Sequence, residues 1–161
     1  MHSGNDYETG FHHSKTPFPE RSWHTLAPDI EIAAKSGLPV LVSGRPAAAL
    51  TIARAIAAAA SLDPVRDVRI LDAVSAEDLL MTLTAQTADP GKGAILVLRE
   101  VHRFSPSQQA DVAEMLALGR EHPSVKLRIV ATSSVSLLDH VVDGTFDERL
   151  FYALNAVHIM V

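Results

Sequence analysis

The sequence predicts an α/β fold: three layers, α/β/α, around a mostly parallel five-stranded sheet in one domain. Three observations carry that expectation. Five short runs are apolar on successive residues and bounded by turn residues, as strands buried on both faces are. Helical patterns alternate with them, and that order belongs to crossover-connected parallel sheets. The chain has 161 residues, 47% apolar and 20% charged. That is enough for one sizeable core and not comfortably enough for two.

Residues 1–28 read as a loosely ordered leader. They hold Gly4, Gly10, Pro17 and Pro19, little periodicity, and four histidines (His2, His12, His13, His24). Adjacent His12 and His13 point apart in an extended chain, so they read as polar tail rather than metal ligands. Residues 29–161 form the folded body. Asp29–Ser36 can make a short helix closed by Gly37. Pro39–Ser43 is the first strand. Ala47–Ser61 is alanine-rich, with Arg54 as its one charge, so the helix is apolar nearly all round and belongs against a sheet. Val68–Leu71 is the second strand. Ser75 opens a helix with Glu77 and Asp78 in its first turn, and Asp89-Pro90-Gly91 is a loop. Ala94–Leu98 is the third strand. Ser105 is placed to cap the next helix, with Pro106 first and Gln108 completing a capping box. Val112, Met115, Leu116 and Gly119 follow at helical spacing. Leu127–Ala131, a short helix over Phe146–Leu154 and a last strand over Ala156–Val161 complete the pattern.

Bulk chemistry excludes several functions. Net charge is −5 with no dense basic run, which argues against a general nucleic-acid surface. No cysteine is present, so disulfides and thiolate metal sites are ruled out. The N-terminus lacks the apolar region of a signal peptide. No apolar run approaches the roughly 20 residues of a membrane span. The expectation is a cytoplasmic domain with no membrane contact. His102, His122, His140 and His158 are dispersed and read as packing residues.

The first strand ends at Ser43-Gly44 and runs directly into a helix, the geometry of a phosphate-binding loop. A working loop reads GxxxxGK[ST]. Its glycines curl N–H groups around phosphates, its lysine reaches the outer phosphates and its hydroxyl holds magnesium. Here the span reads Gly44-Arg45-Pro46-Ala47-Ala48-Ala49-Leu50-Thr51. The first glycine and the threonine stand, but Ala49 replaces the second glycine and Leu50 the lysine. Pro46 removes a donor. A closed turn is expected, with Leu50 and Pro46 in the space phosphates would need.

Later segments carry a family resemblance. Gly93–Val101, followed by Ser105–Gln109, resembles the Walker B region of AAA+ domains, in particular the sigma-54 interaction domain of bacterial enhancer-binding activators. Arg128–Ser134 resembles that family's RLIAATN segment. Asp143-Gly144-Thr145-Phe146 through Leu150-Phe151-Tyr152-Ala153-Leu154-Asn155 resembles its EGRFREDLYYRLN, and Ala53–Ile56 matches ARAI. The resemblance spans residues 38–161 and implies a P-loop NTPase core without its lid.

It also implies which roles are lost. The Walker B aspartate, a magnesium-site residue, falls on Arg99, and a cation there repels magnesium. Glu100 is the residual Walker B glutamate, read as a solvated acid paired with Arg99, Arg103 or His102. The sensor asparagine falls on Ser134, and the two arginine fingers on Asp147 and Ala153. An arginine finger carries several orders of magnitude in rate. No GAFTGA-like string lies within residues 72–91. The expected function is a non-catalytic regulatory module, a pseudo-ATPase with no cofactor and no metal. Its partner would be a related AAA+ subunit or transcription machinery, without direct DNA binding. The alternative is ATP or ADP binding without hydrolysis, at a degenerate site of Gly44, Ala49, Leu50, Thr51 and Arg99. A full ATP-dependent transcription regulator would need the missing lysine.

Overall fold

The computed structural model describes residues 21–61, 68–73, 93–121 and 127–161. The leader up to residue 20, the helix expected from Ser75 and the loop at Asp89–Gly91 lie outside the described residues. In chain order the elements are α1 (Trp23–Ser36), β1 (Val40–Ser43), α2 (Pro46–Ser61), β2 (Val68–Ala73), β3 (Gly93–Leu98), a 3-10 turn (Val101–Arg103), α3 (Pro106–Glu121), β4 (Leu127–Ser133), α4 (Leu137–Val142), α5 (Glu148–Leu154) and β5 (Val157–Met160).

The strands form one sheet of five in the order β2-β3-β4-β1-β5. Every neighbouring pair is parallel. Alternation along β1, β3 and β4 sorts the core onto two faces. Val40, Val42, Ile95, Val97 and Val130 pack with Ala49, Ile52, Ala53, Ile56 and Ala57 of α2 and Leu26, Ile30 and Ala33 of α1. Leu41, Leu96, Leu98, Ile129 and Ala131 pack with Val112, Met115, Leu137, Leu150, Phe151 and Leu154 from α3, α4 and α5. Helices therefore cover both faces, and the alanines of α2 let its backbone approach the sheet closely.

The expected boundary at residue 28 falls inside α1, which begins at Trp23 and contains Pro28. A proline inside a helix removes a backbone bond and ordinarily stops it. Here Leu26, 2% exposed, continues the buried stripe of Ile30 and Ala33 by one more turn. Burying a leucine contributes about 2 kcal/mol, comparable to the cost of the proline. The extra turn is further held by an Arg21–Asp29 ion pair at 2.7 Å. At the other end Gly37 adopts φ 71°, the left-handed closure expected of it. Arg128 of β4 then donates to the carbonyls of Ala33, Ala34 and Leu38, the Ala34 contact being 2.5 Å. A cation on a helix C-terminus complements its dipole.

The capping box at α3 forms as expected: Gln108 N donates to Ser105 Oγ at 3.2 Å and Ser105 N to Gln108 Oε1 at 2.9 Å. Helix α4 has no counterpart in the sequence reading, because six residues give too short a period to recognise. Helix α5 starts at Glu148 rather than Phe146, since the Asp147 side chain caps it at Leu150 N, 2.7 Å away. Among the described residues no helix is long and apolar enough to cross a membrane.

Candidate functional site

Strands β1 and β4 are neighbours whose outgoing chains leave for opposite faces, β1 to α2 and β4 to α4. The carboxyl end of such a pair is where open α/β sheets bind ligands. Gly44 and Ser133 meet there, and so do residues of the turn after β3.

The turn between β1 and α2 is short. Helix α2 begins at Pro46, and Ala49 N already bonds to Arg45 O at 2.8 Å in its first turn. The Pro46–Ala49 span, which in a phosphate loop wraps as open backbone, is thus a helical turn. Gly44 N is spent on Ser133 O at 3.1 Å, tying the two strand ends together. A β-carbon added at Gly44 would lie 2.3 Å from Val161 O and 2.6 Å from its Cγ2. Val161 N bonds back to Ser43 O at 2.8 Å, so the end of β5 lies directly over this turn.

The remaining residues of the expected site have the following places. Ala49 is fully buried. Leu50 is half-buried and packs on the α1/α2 core, while Val161 is the residue against Gly44. Pro46 is exposed at the start of α2. Thr51 Oγ1 donates to Ala47 O at 2.8 Å within its own helix. Arg99 is exposed at the end of β3. The β1–α2 turn thus presents a helical turn from Pro46 and an aliphatic Leu50, and the end of β3 presents the cation of Arg99. Among the described residues no three His, Asp or Glu side chains converge as metal ligands.

Glu100 corrects the picture of a solvated acid. Its side chain is 19% exposed. It sits at φ 52°, ψ 54°, a left-handed conformation that strains a residue with a β-carbon. Its backbone N–H donates to Thr132 Oγ1 at 3.0 Å, and Ser134 Oγ donates to Oε2 at 2.5 Å. Two residues of β4's end thus clamp the acid, one of them at the sensor position. Oε1 is buried with no partner among the described residues. His102 Nε2 stands 3.6 Å from Oε2, and its Nδ1 is 3.3 Å from Ser133 Oγ.

On the other side of the crevice, His158 Nε2 pairs with Ser43 Oγ at 2.8 Å. Two serine–histidine pairs thus stand on adjacent strand ends, because Ser43 and Ser133 are in register. Neither was signalled by sequence spacing. The residues at the finger positions have other roles: Asp147 caps α5, and Ala153 is half-buried in the same helix.

Burial lowers the pKa of both His102 and His158 below the ordinary histidine value; for His102, Glu100 opposes the shift. A depressed histidine binds fewer protons folded than unfolded. Its contribution to stability is therefore intact above about pH 6.5 and lost as pH falls below it. Urea unfolding at pH 7.5 and 5.5 is expected to give a lower midpoint at pH 5.5. His158→Gln should narrow that difference; an unchanged or higher midpoint at pH 5.5 would contradict the assignment.

Comparisons with known proteins agree with this geometry at the level of fold. The family profile described as Sigma-54 interaction domain matches residues 21–161. Among solved structures, NtrX from Brucella abortus in complex with ATP is similar at TM-score 0.62 and 22% identity, over 88% of this chain and 36% of that one. The P-loop NTPase domain of a sigma-54 transport activator from E. coli is similar at TM-score 0.56 and 16% identity, over 82% of this chain and 96% of that one. The Aeropyrum pernix ORC1 protein in complex with DNA gives TM-score 0.58 and 13% identity, over 91% and 47%. The chain thus spans little more than a third of the NtrX chain. No curated protein matches it.

Proposed function

The chain belongs to the sigma-54 interaction domain family of AAA+ ATPase domains, and from that premise we propose that it is a non-catalytic regulatory module, acting by binding a protein partner instead of turning over ATP. The observation that carries this reading is the β1–α2 turn, where Val161 lies against Gly44 and helix replaces the open loop. Arg99 at the metal-binding position and the clamping of Glu100 by Ser134 support it. A general base needs a free approach to the water it activates, and here its neighbours are a serine, a histidine and the end of β4. A related AAA+ subunit or a component of the transcription machinery is the class of partner the family suggests.

The test is ATP turnover by the full chain with magnesium, paired with calorimetry using ATP and ADP. No turnover and no heat of binding at millimolar nucleotide are expected. Magnesium-dependent hydrolysis abolished by Glu100→Gln would overturn the proposal. Nucleotide binding without turnover would favour the alternative of a nucleotide-binding domain that does not hydrolyse.

A further inference from the structure

We propose that His102 and Glu100 form a one-proton switch that sets how α4 sits on the carboxyl edge of the sheet. The hydrogen count at the pair leads there. Ser133 Oγ is fully buried and gives its single hydrogen to Val135 O at 2.7 Å. Toward His102 Nδ1, 3.3 Å away, that hydroxyl can only accept. The ring hydrogen of neutral His102 is therefore on Nδ1, and Nε2 is a bare acceptor. It faces Glu100 Oε2 at 3.6 Å, an oxygen that already receives the Ser134 hydroxyl. Acceptor faces acceptor with no hydrogen between them, while Oε1 is buried without a partner among the described residues. One added proton turns the contact into an N–H donating to a carboxylate, among the stronger hydrogen bonds a protein makes.

The consequence reaches α4 through His140. Its ring centroid lies 5.8 Å from that of His102, tilted by 38°. His140 is held in turn by Thr145, whose Oγ1 is 2.9 Å from its Nδ1. The groups acting on His102 are Glu100 and Arg103 from its own segment, Ser133 from the end of β4 and His140 from α4, while Ser134 acts on Glu100. Burial opposes the proton most strongly; Glu100 favours it, and His140 and Arg103 oppose it. The ring is neutral at pH 7 and takes its proton on acidification, when the new charge draws His102 toward Glu100 and away from His140. Helix α4 carries Leu138 and Val142 exposed on one stripe, so a shift of its docking repositions an apolar surface.

Imidazole and amide NMR of the full chain from pH 8 to 5 tests this. The expected result is the Nδ1–H tautomer for His102 at pH 8, and amides of Leu137–Val142 that shift with the midpoint of His102. In Glu100→Gln the amide nitrogen can donate to Nε2, so the His102 midpoint should fall by about one pH unit, a tenfold loss of proton affinity. The α4 response should move with it. His140→Asn should raise the His102 midpoint and remove the α4 response. The Nε2–H tautomer at pH 8, or α4 amides titrating independently of His102, would overturn the proposal. If Glu100→Gln does not fold, the parent chain and His140→Asn decide it.

Discussion

Gly44→Ala will destabilise the domain by about 3 kcal/mol, since overpacking at a backbone contact cannot relax by a side-chain rotation. The added β-carbon meets a backbone carbonyl oxygen at 2.3 Å and a methyl group at 2.6 Å, both of Val161. Val161 can move away only by giving up its N–H bond to Ser43 O and the packing of its side chain, which is 8% exposed. Alternatively β1 moves, and the Gly44–Ser133 bond that ties it to β4 breaks. Both routes cost backbone hydrogen bonds as well as volume. Thermal unfolding should fall by roughly 10 °C for a domain of this size, with faster hydrogen exchange at Met160 and Val161. Parent-like melting with parent-like exchange at those amides would show that Val161 does not rest on Gly44.

Gln109→Leu is expected to cost about 2–4 kcal/mol, although it replaces a polar side chain in the core with an apolar one. Gln109 is 5% exposed and uses both donor hydrogens and its carbonyl oxygen. Its Nε2 donates to Phe104 O at 2.9 Å and to Thr145 O at 3.1 Å, and its Oε1 accepts Asp147 N at 2.8 Å. The leucine leaves two carbonyls and one N–H unpaired, and the α4–α5 connection loses its tie to α3. Because Asp147 caps α5, that helix should fray with it. Gln109→Glu keeps the acceptor for Asp147 N but sets a carboxylate against two carbonyls, so it should be as damaging at neutral pH and less so when protonated. Chemical denaturation midpoints of the two variants decide the matter; a leucine variant as stable as the parent would mean the clamp contributes nothing.

Much of the scaffold was legible in the residues. The helix α2 was readable from its alanine-rich, nearly uncharged composition, but that composition is apolar nearly all round and did not say that only the Ala49, Ile52, Ala53, Ile56 and Ala57 stripe is buried while Ala47, Ala48, Ala58 and Ala59 are exposed. The capping box of α3 was readable because its partners are three residues apart. The start of α1 was not, since Pro28 breaks the helical signal while the burial of Leu26 restores the helix.

At the site the division is sharper. The sequence by itself determined the α/β class, the family pattern and the residue types at the phosphate-loop and Walker B positions, because composition, periodicity and short motifs are local properties. Only the tertiary structure decided that Val161 lies on Gly44, that Ser134 clamps Glu100 and that Ser43 and Ser133 each hold a histidine. These contacts join segments far apart in the chain through the register of parallel strands. A shift of one residue in that register would turn Ser43 or Ser133 to the opposite face of the sheet, away from its histidine.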